Sequence, residues 1–124
     1  MNLALWILQG LLTVAFTAAG LGKLARPKSA LEREPRTAWT QDFSQNSLRL
    51  IGAAEVVGAA GLVLPGWVGV GTALTPLAAL GLGVLMGGAV AVHARRREPY
   101  VPALVLGLLS LGVALGRWTL ERLG

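Results

Sequence analysis

The sequence predicts an all-α fold, a four-helix transmembrane bundle with a polar cytoplasmic segment between the first and second helices. Three observations carry this. Hydrophobic residues fill 54% of the 124 positions and charged residues only 14%, with a mean hydropathy of +0.63. A soluble core of this size could not hide so much apolar surface. The apolar residues fall into four blocks of spanning length, since a helix needs about 20 residues to cross the hydrocarbon. The blocks are Leu- and Ala-rich runs without strand-like alternation. In lipid only helices and closed barrels satisfy their own backbone polar groups, and these runs favour helices. By length, 1–124 reads as a single integral membrane domain.

The first span runs from about Leu3 to Gly22. Met1-Asn2-Leu3 carries no Lys or Arg, where a secretory signal wants positive charge, so this block reads as a retained helix. Gln9, Thr13, Gly20 and Lys23 share one helical face. Such a stripe faces protein rather than lipid, either for interhelical hydrogen bonding or as a ligand groove. The polar segment follows at about 24–46. Pro27 and Pro35 break it, so it is not one helix. Trp39 and Phe43, four apart, anchor either a short surface helix or a loop at headgroup level.

The second span covers about 47–64, the third about 68–92 and the fourth about 101–118. In the third, Pro76 is either an early helical position capped by Thr75 or the kink of a longer helix. Gly83 and Gly87, like Gly112 and Gly116, have the spacing of close helix packing. His93 closes the third span and Tyr100 opens the fourth.

Charge sets the expected orientation. Lys23, Arg26, Lys28, Arg33, Arg36, Arg49, Arg95, Arg96 and Arg97 all fall on one side, against Arg117 and Arg122 on the other. The positive-inside rule puts the nine in the cytoplasm and both termini on the non-cytoplasmic side of the cell membrane. The net charge of +5 is then a topology signal and not a nucleic-acid surface. The absence of cysteine removes thiol redox chemistry, disulfides and thiolate metal sites.

Glu55 is the residue that demands a reason. It lies roughly two turns inside the second span, among small apolar neighbours. Leu48, Gly52, Gly58, Ala59 and Leu62 share its face, so another helix can approach and the carboxyl points into the bundle. A charge at the membrane centre costs roughly 2.5–3.5 kcal/mol on insertion scales. Glu55 therefore either pairs with Lys23, whose stem reaches inward, or is protonated and donates a hydrogen bond. The preferred arrangement is the Lys23 pair helped by His93. Arg49, six positions away, is on the wrong face for Glu55. Lys23, Arg49, Glu55, His93 and Tyr100 form the expected polar cluster, with Gly20, Gly52, Gly58, Ala59, Gly83 and Gly87 as packing positions.

"GLGKL" closing the first span, "RLIGAAEVVGAAGLVLP" in the second and "MGGAVAVH" ending the third resemble the DoxX-like family of small four-helix membrane proteins. The resemblance runs from about Leu3 to Trp118 and carries over to Gly20, Lys23, Leu24, Arg49, Gly52, Glu55 and His93. The long charged insert after Lys23 departs from it. What it implies is a subunit of quinone-linked sulfur oxidation or of oxidative-stress complexes, or, from a related animal branch, an assembly chaperone for acetylcholine receptors.

Three functions follow as expectations. The first is a non-enzymatic accessory, scaffold or assembly protein, with no catalytic or metal-ligating residue, that meets the bilayer and another membrane protein or a second copy of itself. The second is an accessory subunit of a membrane redox system that holds a quinone or lipid, with Glu55, His93 and Tyr100 at its polar head. The third is a proton-coupled transporter using Glu55, against which the nine-to-two charge bias counts.

Overall fold

The computed structural model describes residues 2–120. Among them there is no strand. The elements are α1 (Asn2–Ala25), α2 (Lys28–Arg33), a 3-10 helix (Pro35–Asp42), α3 (Gln45–Val68), α4 (Leu74–Arg95) and α5 (Val101–Leu115), which continues as a π-helical turn (Gly116–Leu120). Among the described residues four helices, α1, α3, α4 and α5 with its extension, are long and apolar enough to cross a membrane. Arg122 lies outside the described residues.

Helices α1 and α3 each bury one stripe. Leu5, Gln9, Leu12, Phe16 and Gly20 recur on α1 at steps of three and four, and Leu48, Gly52, Glu55, Ala59 and Leu62 do so on α3. That period keeps a stripe on one side of a helix. Leu12, Phe16, Ala59 and Leu62 of these stripes make the core with Ala79, Leu82 and Met86 of α4 and Ala103 and Val113 of α5. The outward faces stay apolar, with Leu3, Ile7, Leu11, Leu50, Val57 and Val84 exposed. In water such a surface would be untenable; in lipid it is the required one.

Two glycines let α1 and α3 touch. A Cβ on Gly20 would stand 2.6 Å from the Gly52 carbonyl oxygen, and one on Gly52 would stand 2.7 Å from the Gly20 carbonyl oxygen. Backbone meets backbone there. Gly58 meets Leu82 and Gly83 meets Leu111 at similar range, and Ala59 is fully buried. Gly87 departs from its expected packing role. A Cβ there meets nothing within 4 Å, and the same holds for Gly112. Their spacing matches the close-packing pattern, but their faces turn outward.

Helix α3 runs on to Val68, past the Leu64 limit suggested by Pro65. A proline inside a helix removes the bond to the carbonyl four residues back, here Gly61. Thr75 Oγ1 of α4 donates to that carbonyl at 3.0 Å. The orphan acceptor is filled from a neighbouring helix, and the helix survives its proline. Gly69, at φ 74, then ends α3 in the left-handed conformation. Helix α4 accordingly starts at Leu74, and Pro76 sits in its first turn, where no N–H is missed. Thr75 therefore bonds α3 and does not cap its own helix.

The polar segment folds into α2, fixed by buried Leu31, and the 3-10 helix. Trp39 and Phe43 pack edge to face, 5.5 Å between centroids at 81°. Both rings face the bundle, where they help wall a cavity.

Candidate functional site

The cavity holds about 360 Å³. It lies at the end of the bundle where α1 finishes, α3 begins and α4 finishes. Leu85, Met86, Ala89, Ala103 and Leu106 give it an apolar body; Lys23, Glu55 and His93 give it polar groups; Trp39 and Phe43 form one wall.

Glu55 is 2% exposed and its Oε1 lies 2.6 Å from Lys23 Nζ, whose side chain is 13% exposed. This ion pair sits where two glycines have drawn α1 and α3 together, so both groups arrive on rigid helices. The ammonium also lies 5.6 Å from the Trp39 ring centroid, within cation–π range. Lys carries three donors, and the carboxylate has acceptor sites left beyond one bond. The pair can therefore satisfy itself and still address a polar group in the cavity.

His93 is reached from the other side. Its ring stands edge-on to Trp39 at 6.1 Å, and Nδ1 lies 3.1 Å from Glu98 Oε1. Backbone geometry puts Glu98 there. Arg97 takes φ 58, Arg97 N–H donates to the Ala94 carbonyl at 3.1 Å, and Glu98 N–H donates to the His93 carbonyl at 2.8 Å. These are the two bonds of a Schellman ending, here with an arginine in the left-handed position that glycine normally fills. The turn folds Glu98 back beneath His93. Arg96 Nε then donates to Glu98 Oε2 at 3.0 Å, while Arg96 Nη2 donates to the Ala38 carbonyl at 3.3 Å. Partial burial works against the Glu98 charge, but the bonds to Arg96 and His93 outweigh it and hold its carboxyl below the usual carboxylate range.

Of the expected cluster, Lys23, Glu55 and His93 come together around one cavity, with Lys23 and Glu55 in direct contact. Arg49 and Tyr100 do not join them. Arg49 follows buried Leu48 by one position, a rotation of about 100° that carries it to the exposed side. Tyr100 precedes α5 and is 43% exposed. In the sequence Arg96 reads only as a charge and Glu98 does not stand out; here Arg96 binds the Ala38 carbonyl next to Trp39, and Glu98 binds both Arg96 and His93.

A second polar cluster at the opposite end was hidden in the charge count. Arg117 is 2% exposed. Its Nε donates to Gln9 Oε1 at 2.6 Å, its Nη1 to Asn2 Oδ1 at 2.5 Å, and its guanidinium lies 5.3 Å from the Trp6 ring centroid. Gln9 Nε2 in turn donates to the Leu62 carbonyl, and Thr13 Oγ1 donates to the Gln9 carbonyl at 2.7 Å. The α1 polar stripe is thus largely interhelical bonding, with Lys23 at its far end serving the cavity. Its signal in the sequence was Gln9 itself, a donor and acceptor in a span that needed partners.

Among the described residues no three His, Cys, Asp or Glu side chains gather as a metal site. A family model described as the DoxX-like family matches residues 7–115 of the chain, a stretch that contains Lys23, Glu55, His93 and Glu98. No curated protein and no solved structure matches it.

Proposed function

The chain belongs to the DoxX-like family, and from that premise we propose that this small multi-pass membrane protein is a non-enzymatic accessory protein whose bundle holds a quinone- or lipid-like molecule. One observation carries the reading. A cavity of about 360 Å³ has an apolar body and a few convergent polar groups, Lys23, Glu55 and His93. That is the make-up of a small-molecule site, which spans about 300–1,000 Å³ and fixes its ligand with few polar contacts. The apolar body suits a ring or chain drawn from the bilayer, and the Lys23 ammonium supplies donors to its carbonyl or headgroup oxygens.

Orientation belongs to the same proposal. The nine basic residues beside the cavity end favour placing it in the cytoplasmic half, with both termini outward. The polar head of the ligand then sits near the cytoplasmic headgroups, where a membrane redox partner would meet it.

The test is a binding titration with menadione and decylubiquinone in detergent, read by quenching of Trp39 in a protein whose Trp6, Trp67 and Trp118 are phenylalanine. Saturable quenching, weakened about tenfold in the Lys23→Met, Glu55→Gln double variant, supports the site; about 1.4 kcal/mol of lost contact suffices for that. Linear quenching, identical in both proteins, rejects it.

The scaffold or assembly reading has one observation of its own. Ala54, Val57, Gly81 and Val84 are among the exposed residues lining an apolar groove between α3 and α4, where small Ala54 and Gly81 admit another helix. Co-purification of a membrane partner that survives Glu55→Gln and His93→Ala supports it.

A further inference from the structure

We propose that Glu98 is the latch that holds the Pro35–Asp42 helix closed over the cavity, so that the aqueous route to the Lys23–Glu55 pair opens when this carboxylate lets go. The latch takes its purpose from the cavity reading above, but its geometry stands without any ligand.

The covering helix packs on α2 and is a weak element in itself. It is a 3-10 helix whose N-cap, Glu34, gives it no capping bond because the carboxylate is turned to Arg26, and this helix type is uncommon beyond about 3–4 residues because its bond geometry is poor. Beside its packing on α2, two grips on it come from the end of α4. Arg96 Nη2 grips the Ala38 carbonyl, and the His93 ring bears on Trp39. One side chain touches both grips, since Glu98 Oε2 accepts from Arg96 Nε and Oε1 faces His93. The contacts close a ring running from His93 through Glu98, Arg96 and Ala38 to Trp39 and back. Glu98 does not line the cavity; it is a positioning residue that acts through two others. Losing its charge loosens both grips at once, and Trp39, part of the cavity wall, is what moves.

The cysteine-free chain makes the test direct. Ala89→Cys places a thiol in the cavity, and Ala94→Cys places one on the exposed end of α4. The rate of modification by a charged, water-borne methanethiosulfonate reagent is measured for each thiol in detergent, with Glu98 intact or replaced by Gln. The expected result is a rise of at least tenfold at Ala89→Cys in the Glu98→Gln background and in a second background, Arg96→Gln. Ala94→Cys stays unchanged, helicity is intact, and Glu98→Asp gives partial protection. Equal rates at Ala89→Cys in all backgrounds overturn the latch. So does a rise matched at Ala94→Cys or accompanied by lost helicity, which is unfolding. Gated access with no naphthoquinone binding leaves the latch standing and removes only the ligand; binding with ungated access does the reverse.

Discussion

Lys23 and Glu55, 32 positions apart, meet at 2.6 Å between α1 and α3 with the carboxylate all but sealed from solvent. A pair in this setting is a poor source of net stability, yet each partner depends on the other, since removing one partner of a buried pair costs about 3–5 kcal/mol while replacing both is often neutral. Lys23→Met is therefore expected to melt well below wild type in detergent, and the Lys23→Met, Glu55→Gln double variant above the single one. Equal melting of single and double variants would mean that the two groups do not depend on each other.

The α1–α3 contact sets a second expectation. Gly20→Leu or Gly52→Leu must push two backbones apart, at a cost of about 1–3 kcal/mol for an overpacked site. Gly87→Ala meets open space and gains about 0.5–1 kcal/mol of helix propensity. Thermal unfolding of the three variants separates a packing glycine from an idle one.

Thr75 and Pro65 make a testable couple. Thr75→Val leaves the Gly61 carbonyl without its donor at 3.0 Å and costs about 1–3 kcal/mol for a buried acceptor left unsatisfied. Pro65→Ala in that background restores a backbone N–H and recovers much of the loss. Melting temperatures that fail to recover would assign the α3 continuation to some other contact.

The latch should respond to acid in a defined direction. The folded Glu98 carboxyl lies below its ordinary value of 4.5, so its contribution is fully present above that value and fades as pH falls through the depressed folded value. The groups facing it are Arg96 and His93, and loss of the Glu98 charge is what breaks the ring. Trp39 emission, in a protein with the other tryptophans replaced, is expected to shift to the red only below pH 4.5. Glu98→Gln should give the shifted spectrum already at neutral pH.

Arg97 offers a check on the turn beneath the site. At φ 58 a side chain costs about 1–2 kcal/mol that glycine avoids. Arg97→Gly should raise the melting temperature while leaving the protection of Ala89→Cys intact.

Much of this was legible in the sequence, and the reasons are physical. Four apolar runs in a chain without room for a soluble core leave lipid as the solvent, and a glutamate in such a run must find a partner, which made Lys23 the natural one. Local rules failed where tertiary contact overrode them. Pro65 reads as a stop until Thr75 supplies the missing donor from another helix. Gly87 has the packing spacing on a face that meets nothing. Arg117 looks like an end charge because nothing local shows that Gln9 and Asn2, more than a hundred residues earlier, wait for it. Glu98 looks like a loop acid because its role depends on a left-handed arginine, a conformation that sequence gives little reason to expect.

A ligand in the cavity is open to native mass spectrometry of the protein released from mild detergent, wild type beside Ala89→Phe, which fills the cavity without replacing a charged group. The expected result is one amphipathic molecule of quinone or lipid mass retained by the wild type and absent from a folded Ala89→Phe protein. An empty wild-type protein, or the same adduct on both, would contradict a ligand seated against Lys23 and Glu55.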